Sequence, residues 1–371
     1  MQFKILRSEL LTALNKVSRA VSNKSPLPVL TGIKFELNEN SLVLTGSDSD
    51  ITIQTFIPCD NDRLTIIRPG SVVLSGHYIF EIIRKIESEY IDIQIIDGTL
   101  TEIRGEQSHF NLNGIKAIDY PTIDLTKNGE HFKLDAYILK TIVSQTVFAT
   151  SVDESRPILT GLNLRAKDGK LTCLATDSYR LARKVINIDE NLSFNITIPA
   201  KSLIEISRII EKVEDIDLYV SDRKLLFVLG PVTMLTRLID GAFPDTNRLV
   251  PESFLYELTV SSHDLTGAIG RASLLTNDAN NIVKLSMNEN EVIISSESQE
   301  IGSVKEKIES AFYTGSPLKI AFSSKYVIDA IRAISQDKIK ISFNGDMRPF
   351  VITSEKDESI LQLILPVRTF Q

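Results

Sequence analysis

Hydrophobic and polar residues alternate along three separate stretches of the chain, each with the pattern of a strand, a tight turn and a second strand. The stretches are LPVLTGIKFELNENSLVLTGSDSDI from Leu27, RPILTGLNLRAKDGKLTCLATDSYR from Arg156 and NDANNIVKLSMNENEVIISSESQEI from Asn277. A period of two places alternate side chains on one face of a strand. The sequence therefore predicts three β-hairpins that turn at residues 38–40, 167–169 and 288–290. The positions expected on their buried faces are Ile33, Phe35, Leu37, Leu42, Leu44, Leu162, Leu164, Ala166, Leu171, Cys173, Val283, Leu285, Met287, Val292 and Ile294.

Two helical patterns recur with the hairpins. Apolar residues at helical spacing follow a small or hydroxyl-bearing residue in SGHYIFEIIRKIES (75–88), PAKSLIEISRIIEK (199–212) and FSSKYVIDAIRAIS (322–335). Within these segments Ile79, Leu203 and Val327 lie 124 residues apart. Another helix is predicted near the start of each repeat, over 7–24, 135–149 and 263–275.

One repeat therefore contains a helix, a hairpin, further strands, a second helix and more strands. Its period is the size of a domain and far exceeds the roughly 20–50 residues of a solenoid repeat. The turn-rich segments YPTIDLTKNGEHF and FPDTNRLVPESF provide candidate boundaries. We predict an α+β protein with three tandem domains, over residues 1–126, 127–252 and 253–371.

Composition narrows the class of protein. Hydrophobic residues make up 43% of the 371 and charged residues 24%, which is ordinary for a globular protein. No segment has the roughly 18 uninterrupted apolar residues of a membrane span, and the N-terminus lacks a signal-peptide pattern, so we expect a cytoplasmic protein without membrane contact. Cys59 and Cys173 form no CxxC pair, and both are predicted to pack as thiols within strands. No metal or cofactor is expected.

The net charge of −7 is unevenly distributed. The six predicted helical segments together carry +5, so the strands and loops hold the excess of acids. One interpretation is that helices accommodate Lys and Arg well. The other is that the helices share a surface that meets a polyanion while the acidic remainder repels it.

Chemically active side chains are concentrated in ATDSYRLARK, residues 175–184, which fits either an active site or a turn at a strand end. A catalytic role for Asp177 needs a base or nucleophile nearby. Its counterparts by repeat are Asp48 and Ser298, and a structural aspartate in a turn is favoured. The four histidines have no metal-binding spacing, and GxSxG, Walker and GxGxxG patterns do not occur. We expect no catalytic residues and no enzyme; the alternatives are an enzyme with a carboxylate pair, or an open string of domains.

Several segments together resemble the bacterial sliding clamp family, the beta subunit of DNA polymerase III, over the entire chain. These are MQFKILRSELLTALNKVSRAV, LPVLTGI, ATDSYRLA, RLIDGAFPDTNRLVP, RPFVI and LQLILPVR. The resemblance implies three domains, each with two helices on an inner face and antiparallel sheets outside. Two subunits would join head to tail in a ring around duplex DNA, as a processivity factor of replication that tethers the polymerase.

The resemblance also implies a pocket between domains 2 and 3 that binds short glutamine- and leucine-containing peptides. The expected partners are the replicative DNA polymerase, the clamp loader, repair polymerases and mismatch-repair proteins. The implied pocket residues are Leu159, Thr176, Ser178, Tyr179, Arg180, Leu181, Pro244, Arg248, Leu249, Tyr326, Met347, Leu363, Ile364, Leu365, Pro366, Val367 and Arg368.

Two further surfaces follow from the resemblance and from the helical cations. Sequence-independent contacts to the phosphates of duplex DNA are expected from Lys24, Arg156, Arg19, Lys201, Arg208, Lys325 and Arg332. The homodimer interface is expected to join Phe110 and Leu112 of one subunit to Leu274 and Leu275 of the other.

Overall fold

A computed structural model describes residues 1–22, 24–60, 62–210, 215–276 and 281–368, except for the side chain of residue 247. In this part of the chain each repeat begins with a strand and a helix, continues with four or five strands and a second helix, and ends with three strands. The first repeat contains β1 (Gln2–Leu6), α1 (Arg7–Val17), β2 (Gly32–Leu37), β3 (Ser41–Ser47), β4 (Ile51–Pro58), β5 (Leu64–Arg68), β6 (Gly70–Ser75), α2 (Gly76–Lys85), β7 (Tyr90–Asp97), β8 (Leu100–Arg104) and β9 (His109–Leu112).

The second and third repeats follow the same order. The second contains β10 (Glu130–Asp135), α3 (Ala136–Thr146), β11 (Gly161–Lys167), β12 (Lys170–Thr176), β13 (Arg180–Asn187), β14 (Phe194–Pro199), α4 (Ala200–Ile209), β15 (Asp215–Val220), β16 (Lys224–Leu229) and β17 (Val232–Arg237). The third contains β18 (Tyr256–Ser261), α5 (Ser262–Ser273), β19 (Ile282–Met287), β20 (Val292–Ser298), β21 (Gly302–Lys307), β22 (Phe312–Thr314), β23 (Leu318–Ser323), α6 (Ser324–Ile334), β24 (Lys338–Phe343), β25 (Phe350–Ser354) and β26 (Asp357–Ile364).

The three predicted hairpins are confirmed. They are β2–β3, β11–β12 and β19–β20, paired in antiparallel register. All fifteen positions expected on their buried faces are buried. Asp168 and Gly169 have positive φ angles of 50° and 73°, as a two-residue hairpin turn requires.

The first predicted helix is shorter than its sequence pattern. Helix α1 ends at Val17, a 3₁₀ turn covers Ser18–Ala20, and Val21 is extended. The chain bends here because Val17 and Val21 pack on Gly46 of β3, where an added Cβ would lie 2.7 Å from the carbonyl oxygen of Val17. Helix α4 ends at Ile209, and the last two residues of the predicted segment 199–212 lie outside the described residues. Residues 277–280 at the start of the third predicted hairpin do so as well.

The chain divides into two compact units. The first unit, residues 1–139 and 204–238, has a sheet in the order β5-β1-β7-β8-β9 and another in the order β10-β15-β16-β17-β4-β3-β2-β6. Helices α1 and α2 pack together in this unit. They bury Leu10, Leu14, Val17, Ile79 and Ile83 at helical spacing.

The second unit, residues 140–203 and 239–371, has sheets in the order β14-β11-β12-β13-β26-β25-β24-β18-β22 and β21-β20-β19-β23. One hydrophobic core of this unit joins α5 and α6 to strands of the third repeat. Leu265 and Ile269 of α5 and Val327 and Ile331 of α6 are part of this core.

Within each unit one sheet crosses from one repeat to another through equivalent strands. In the first unit β17 pairs with β4, from Val232 opposite Thr55 to Thr236 opposite Ile51. In the second unit β26 pairs with β13, from Arg180 opposite Ile364 to Lys184 opposite Ile360. Both joints connect the last strand of a repeat to the third strand after the first helix of the preceding repeat.

The prediction that both cysteines pack within strands is confirmed for Cys173 and wrong for Cys59. Cys173 is buried in β12, and burial raises the pKa of its thiol well above the usual range. Cys59 is exposed just after β4, so the prediction that it packs within a strand was wrong. It lies in the turn that leads to β5, where its Sγ is 3.6 Å from the carbonyl oxygen of Leu64.

Candidate functional site

The turn between β12 and β13 is held by hydrogen bonds from its own side chains. The Asp177 carboxylate accepts the backbone N–H groups of Tyr179 and Arg180, each at 3.0 Å. The Thr176 hydroxyl accepts the Ser178 N–H at 3.2 Å and donates to the Arg180 carbonyl at 2.6 Å. Ser178 has a φ of 78°, in the left-handed region.

The same turn occurs one repeat earlier. The Asp48 carboxylate accepts the N–H groups of Asp50 and Ile51 at 3.1 and 2.8 Å, and the Ser47 hydroxyl accepts that of Ser49 at 3.2 Å. Ser49 has a φ of 83°, close to that of Ser178. Because Asp177 has the same backbone partners as its counterpart, its structural interpretation is confirmed.

Arg180 is a buried connection between β13 and neighbouring elements, and its side chain is 8% exposed. Its Nε donates to Asp177 at 3.0 Å and its Nη1 to Asp329 of α6 at 2.8 Å. Its Nη2 donates to the Phe148 carbonyl at 2.6 Å, and the guanidinium lies 4.5 Å from the centre of the Tyr326 ring. All three nitrogens are thus engaged within the chain, and Arg180 holds the wall of the predicted pocket in place.

An apolar cluster covers the other face of β13. Its buried members are Leu181, Val351, Leu361 and Leu363, and Leu174, Val250, Phe254 and Leu365 pack against them half-buried. We call these eight residues the sheet-face cluster. Strand register explains it, because Leu181 lies opposite Leu363, which in turn lies opposite Val351.

The structure brings part of the predicted pocket to this cluster. Leu181, Leu363 and Leu365 belong to it, and the Leu365 N–H donates to the Tyr179 carbonyl at 2.9 Å. Ile364 pairs with Arg180, and Tyr326 contacts the Arg180 guanidinium. Pro244 lines a cavity of about 660 Å³ together with Leu174 of the cluster.

The other predicted pocket residues differ in exposure. Leu159 is 4% exposed, and its carbonyl accepts the Ser151 N–H at 2.8 Å. Tyr179, Leu249 and Met347 are 62%, 46% and 46% exposed, so a ligand can reach these side chains. Arg248 and Arg368 are exposed, and Pro366 and Val367 are half-buried. The ligand contacts of all these residues stay a prediction.

The predicted DNA-binding cations lie on several elements, and some have carboxylate partners. Arg19 and Arg208 share the Glu205 carboxylate, at 3.1 and 2.8 Å. Arg156 donates to the Ser178 hydroxyl at 3.2 Å. Exposed positions are occupied by Lys24, Arg156, Lys201, Arg208, Lys325 and Arg332. Arg19 lies in the 3₁₀ turn after α1 and Lys24 in the following loop, so neither is on an α-helix as the charge count assumed.

The residues predicted at the dimer interface lie near two sheet edges that no described strand covers. Strand β9, which carries Phe110 and Leu112, pairs only with β8, and β21 pairs only with β20 among the described strands. Phe110 is 38% exposed. Leu274, at the C-terminal end of α5, is 75% exposed, and Leu275 is half-buried.

Sequence reasoning missed a buried carboxylate beside β9. Glu102 of β8 is 5% exposed and accepts hydrogen bonds from Gln94, from Arg104 at 2.7 Å and from His109 at 2.5 Å. The hydrogen bond from Gln94, followed by those from Arg104 and His109, lowers the pKa of Glu102 to about 2. The sequence TEIR gives only the alternation that places Glu102 on the same face as Gln94.

The described residues contain no group of three or more His, Cys, Asp or Glu side chains that could hold a metal ion. In the same residues no helix is both long and apolar enough to span a membrane. The candidate site consists of an apolar sheet face, its hydrogen-bonded wall and nearby cations.

Comparison with known proteins identifies the family and the fold. Family models of the DNA polymerase III beta subunit match the N-terminal domain at 1–124, the central domain at 133–245 and the C-terminal domain at 247–368. The beta sliding clamp of Bacillus subtilis is 41% identical, with 100% of both chains covered. The crystal structure of the sliding clamp from B. subtilis has a TM-score of 0.96, at 41% identity and with full coverage of both chains. The beta subunit from Streptococcus pyogenes has a TM-score of 0.94 at 33% identity, also with full coverage.

The fold is that of a clamp with three tandem clamp domains, built from antiparallel sheets and a few helices. The chain belongs to the family of the DNA polymerase III beta subunit. Its role is that of a processivity clamp in DNA replication.

Proposed function

We propose that two copies of this chain close head to tail into a ring around duplex DNA. The observation that carries this proposal is the repeated sheet joint. Strand β4 pairs with β17, and the equivalent β13 pairs with β26. In the third repeat, the strand equivalent to β4 and β13 is β21. In the first repeat, the strand equivalent to β17 and β26 is β9. Each of these two strands has one edge that no described strand covers.

A third joint of the same kind, between β21 of one copy and β9 of another, would use both edges. Since each copy carries one of each, two such joints close a symmetric dimer. Closure also removes two exposed strand edges from each copy, four in the dimer, which otherwise favour aggregation. Phe110 and Leu112 on β9 and Leu274 and Leu275 after α5 would contribute apolar contacts to this seam.

The exposed cations supply attraction to DNA without reading its sequence. Lys24, Arg156, Lys201, Lys325 and Arg332 are exposed, and in this proposal they contact phosphates, which carry no sequence information. Such attraction weakens with salt, so encirclement rather than affinity would retain the clamp on DNA. In this proposal the helices that carry most of these cations line the inner face, and the sheets lie outside.

The sheet-face cluster is proposed as the docking site for short segments of partner proteins. Its leucines would provide the apolar surface that receives the apolar side chains of the peptide, and exposed Tyr179, Leu249 and Met347 would complete the contact. The partners would be the replicative polymerase, the clamp loader, repair polymerases and mismatch-repair proteins, which compete for one site in each chain.

The domains would extend over 1–126, 127–252 and 253–371. The protein would act in the cytoplasm, and would tether enzymes without catalysing a reaction.

The test is retention on DNA of different topology. The clamp is loaded by its clamp loader on nicked circular DNA, separated by gel filtration, and measured before and after the circle is cut once. We expect stable retention on the circle and rapid loss from the linear product, because only the circle cannot leave a ring. Equal retention on both would contradict encirclement.

A further inference from the structure

Arg183 is the cation of β13 that has no counter-ion among the described residues. Arg180 pairs with Asp177 and Asp329, and Lys184 pairs with Asp357 at 2.8 Å. Arg183, between them in sequence, has a buried Nε with no hydrogen-bond partner in the described part of the chain. Of the three cations on this strand, Arg180 and Lys184 therefore have carboxylate partners, whereas Arg183 has none among the described residues.

Strand register places Arg183 inside the apolar surface. It lies opposite Leu174 on β12 and opposite Leu361 on β26, and both leucines belong to the sheet-face cluster. Residues directly opposite in an antiparallel pair share one face of the sheet. The next row on this face, two residues along β13, holds Leu181 and Leu363.

This environment is unfavourable for the free protein. A half-buried guanidinium loses hydration, and here no carboxylate among the described residues compensates the loss. In agreement, burial alone lowers the pKa of Arg183 from its usual value. A ligand carboxylate that reached the guanidinium would supply the counter-ion that it lacks among the described residues, in a setting where water competes weakly.

We propose that Arg183 binds a carboxylate of the peptide that docks on the sheet-face cluster, and so makes this clamp prefer partners with an acidic residue next to their apolar anchors. This inference rests on the proposed peptide site. It adds a specificity-determining residue to that site.

The surface beside Arg183 has room for such a flanking residue. The cavity of about 660 Å³ begins at Leu174, its cross-strand neighbour, and extends over the outer face of β11 and β12. Arg165, Lys167 and Lys170 line it together with Asp168 and Asp245, so its lining has one more positive than negative charge. The apolar surroundings of Arg183 suit a single peptide side chain better than a hydrated DNA backbone.

The experiment measures the binding of labelled decapeptides to the full-length protein by fluorescence anisotropy. All peptides share a fixed frame of one glutamine and two leucines and have an amidated C-terminus. At each remaining position in turn, a pair of peptides is compared in which one carries glutamate and the other carries glutamine. Three proteins are compared: the parent, Arg183→Met, and the control Arg223→Met, which removes an exposed arginine outside the cavity and the sheet-face cluster.

At one position or two adjacent ones, glutamate is expected to bind the parent about tenfold more tightly than glutamine, as a charge-assisted hydrogen bond predicts. In R183M this ratio falls to about one, and in R223M it is retained. The melting temperature of R183M does not fall, since removal of an unpaired buried cation is neutral or stabilising.

Failure has distinct forms. If the glutamine peptides bind but no position discriminates, or if R183M keeps the parent ratio, the role of Arg183 is overturned and the peptide site stands. If no peptide binds the parent, the proposed site is wrong and this inference fails with it. Loss of affinity for a short DNA duplex in R183M, with an unchanged peptide ratio, would assign the arginine to DNA instead. A melting temperature several degrees lower would indicate a structural partner within the chain.

Discussion

At the residue scale, one cation organises the wall of the candidate pocket. Arg180 reaches Asp177 in its own turn, Asp329 on α6 and the Phe148 carbonyl. The sequence predicted that Asp177 belongs to a turn, because the repeat aligned it with Asp48. It did not predict the contact with Asp329, which lies 149 residues further along the chain than Arg180.

Replacing Arg180 with methionine is expected to lower the free energy of unfolding by about 3 kcal/mol, because two partly buried carboxylates lose their cation. Urea titration followed by circular dichroism measures the change. Arg165→Met serves as the control, since an exposed cation without such partners changes stability by about 0.5 kcal/mol or less. Equal effects in the two variants would show that the hydrogen bonds of Arg180 add nothing to stability.

The left-handed backbone at Ser178 gives a second prediction. Valine at this position is expected to reduce the free energy of unfolding by about 2 kcal/mol, because a β-branched side chain is strained at a φ of 78°. Glycine removes the same hydroxyl but adopts this conformation freely, so Ser178→Gly should be at least as stable as the parent. The pair is compared by thermal unfolding, and similar losses in both would assign the effect to the hydroxyl rather than the backbone.

Also at the residue scale, the sequence analysis assigned no role to Arg183. A single arginine in a strand is typical of an exposed face, and only the register of β13 with β12 and β26 reveals its apolar neighbours. The prediction that Cys59 packs within a strand was wrong. Its apolar character predicted packing, but the turn between β4 and β5 leaves it exposed.

At the element scale, local patterns located strands and helices better than they located the pairing between repeats. Alternation gave each hairpin, because strand and partner lie close together in sequence. The joints β4–β17 and β13–β26 connect strands far apart in the chain, and local periodicity contains no information about such partners. Helix α1 ended early because Gly46 admits Val21, a tertiary contact that helical spacing does not reveal.

The stability of the pairing between β8 and β9 is expected to fall at acidic pH. The pKa of Glu102 is lowered from 4.5 to about 2, so the carboxylate stabilises the fold fully above pH 4.5 and loses this effect as the pH falls towards 2. Glu102→Gln should therefore flatten the loss of stability over this range, as measured by urea midpoints at successive pH values. Glu106→Gln, at an exposed position of the same sheet edge, should keep the parent profile. A parent-like profile in E102Q would contradict the assignment.

At the scale of the whole molecule, the triplicated pattern was visible in the sequence, and the family models match all three parts of the chain. The sequence could also suggest which chain ends meet in a dimer. It could not give the argument from the repeated sheet joint, which needs the strand order.

Replacing both Leu274 and Leu275 with aspartate should give a folded monomer. Leu274 is 75% exposed, so the change costs the fold little but places charges in the proposed seam. Light scattering should report the mass of one chain, 41.4 kDa, where the parent gives twice this value. Leu255→Asp, at a leucine 70% exposed elsewhere, should remain dimeric. A dimer of the double variant would contradict the seam.

The joint between β4 and β17 also has a consequence during protein synthesis. Ribosomes complete β4 long before β17, which ends at Arg237, and translation of the intervening chain takes roughly 10–40 s at typical rates. For that time the edge of β4 that later pairs with β17 stays open on the nascent chain, and β13 then waits in the same way for β26. Chains stalled between these points would expose a bare strand edge, and are therefore the ones that most need chaperones.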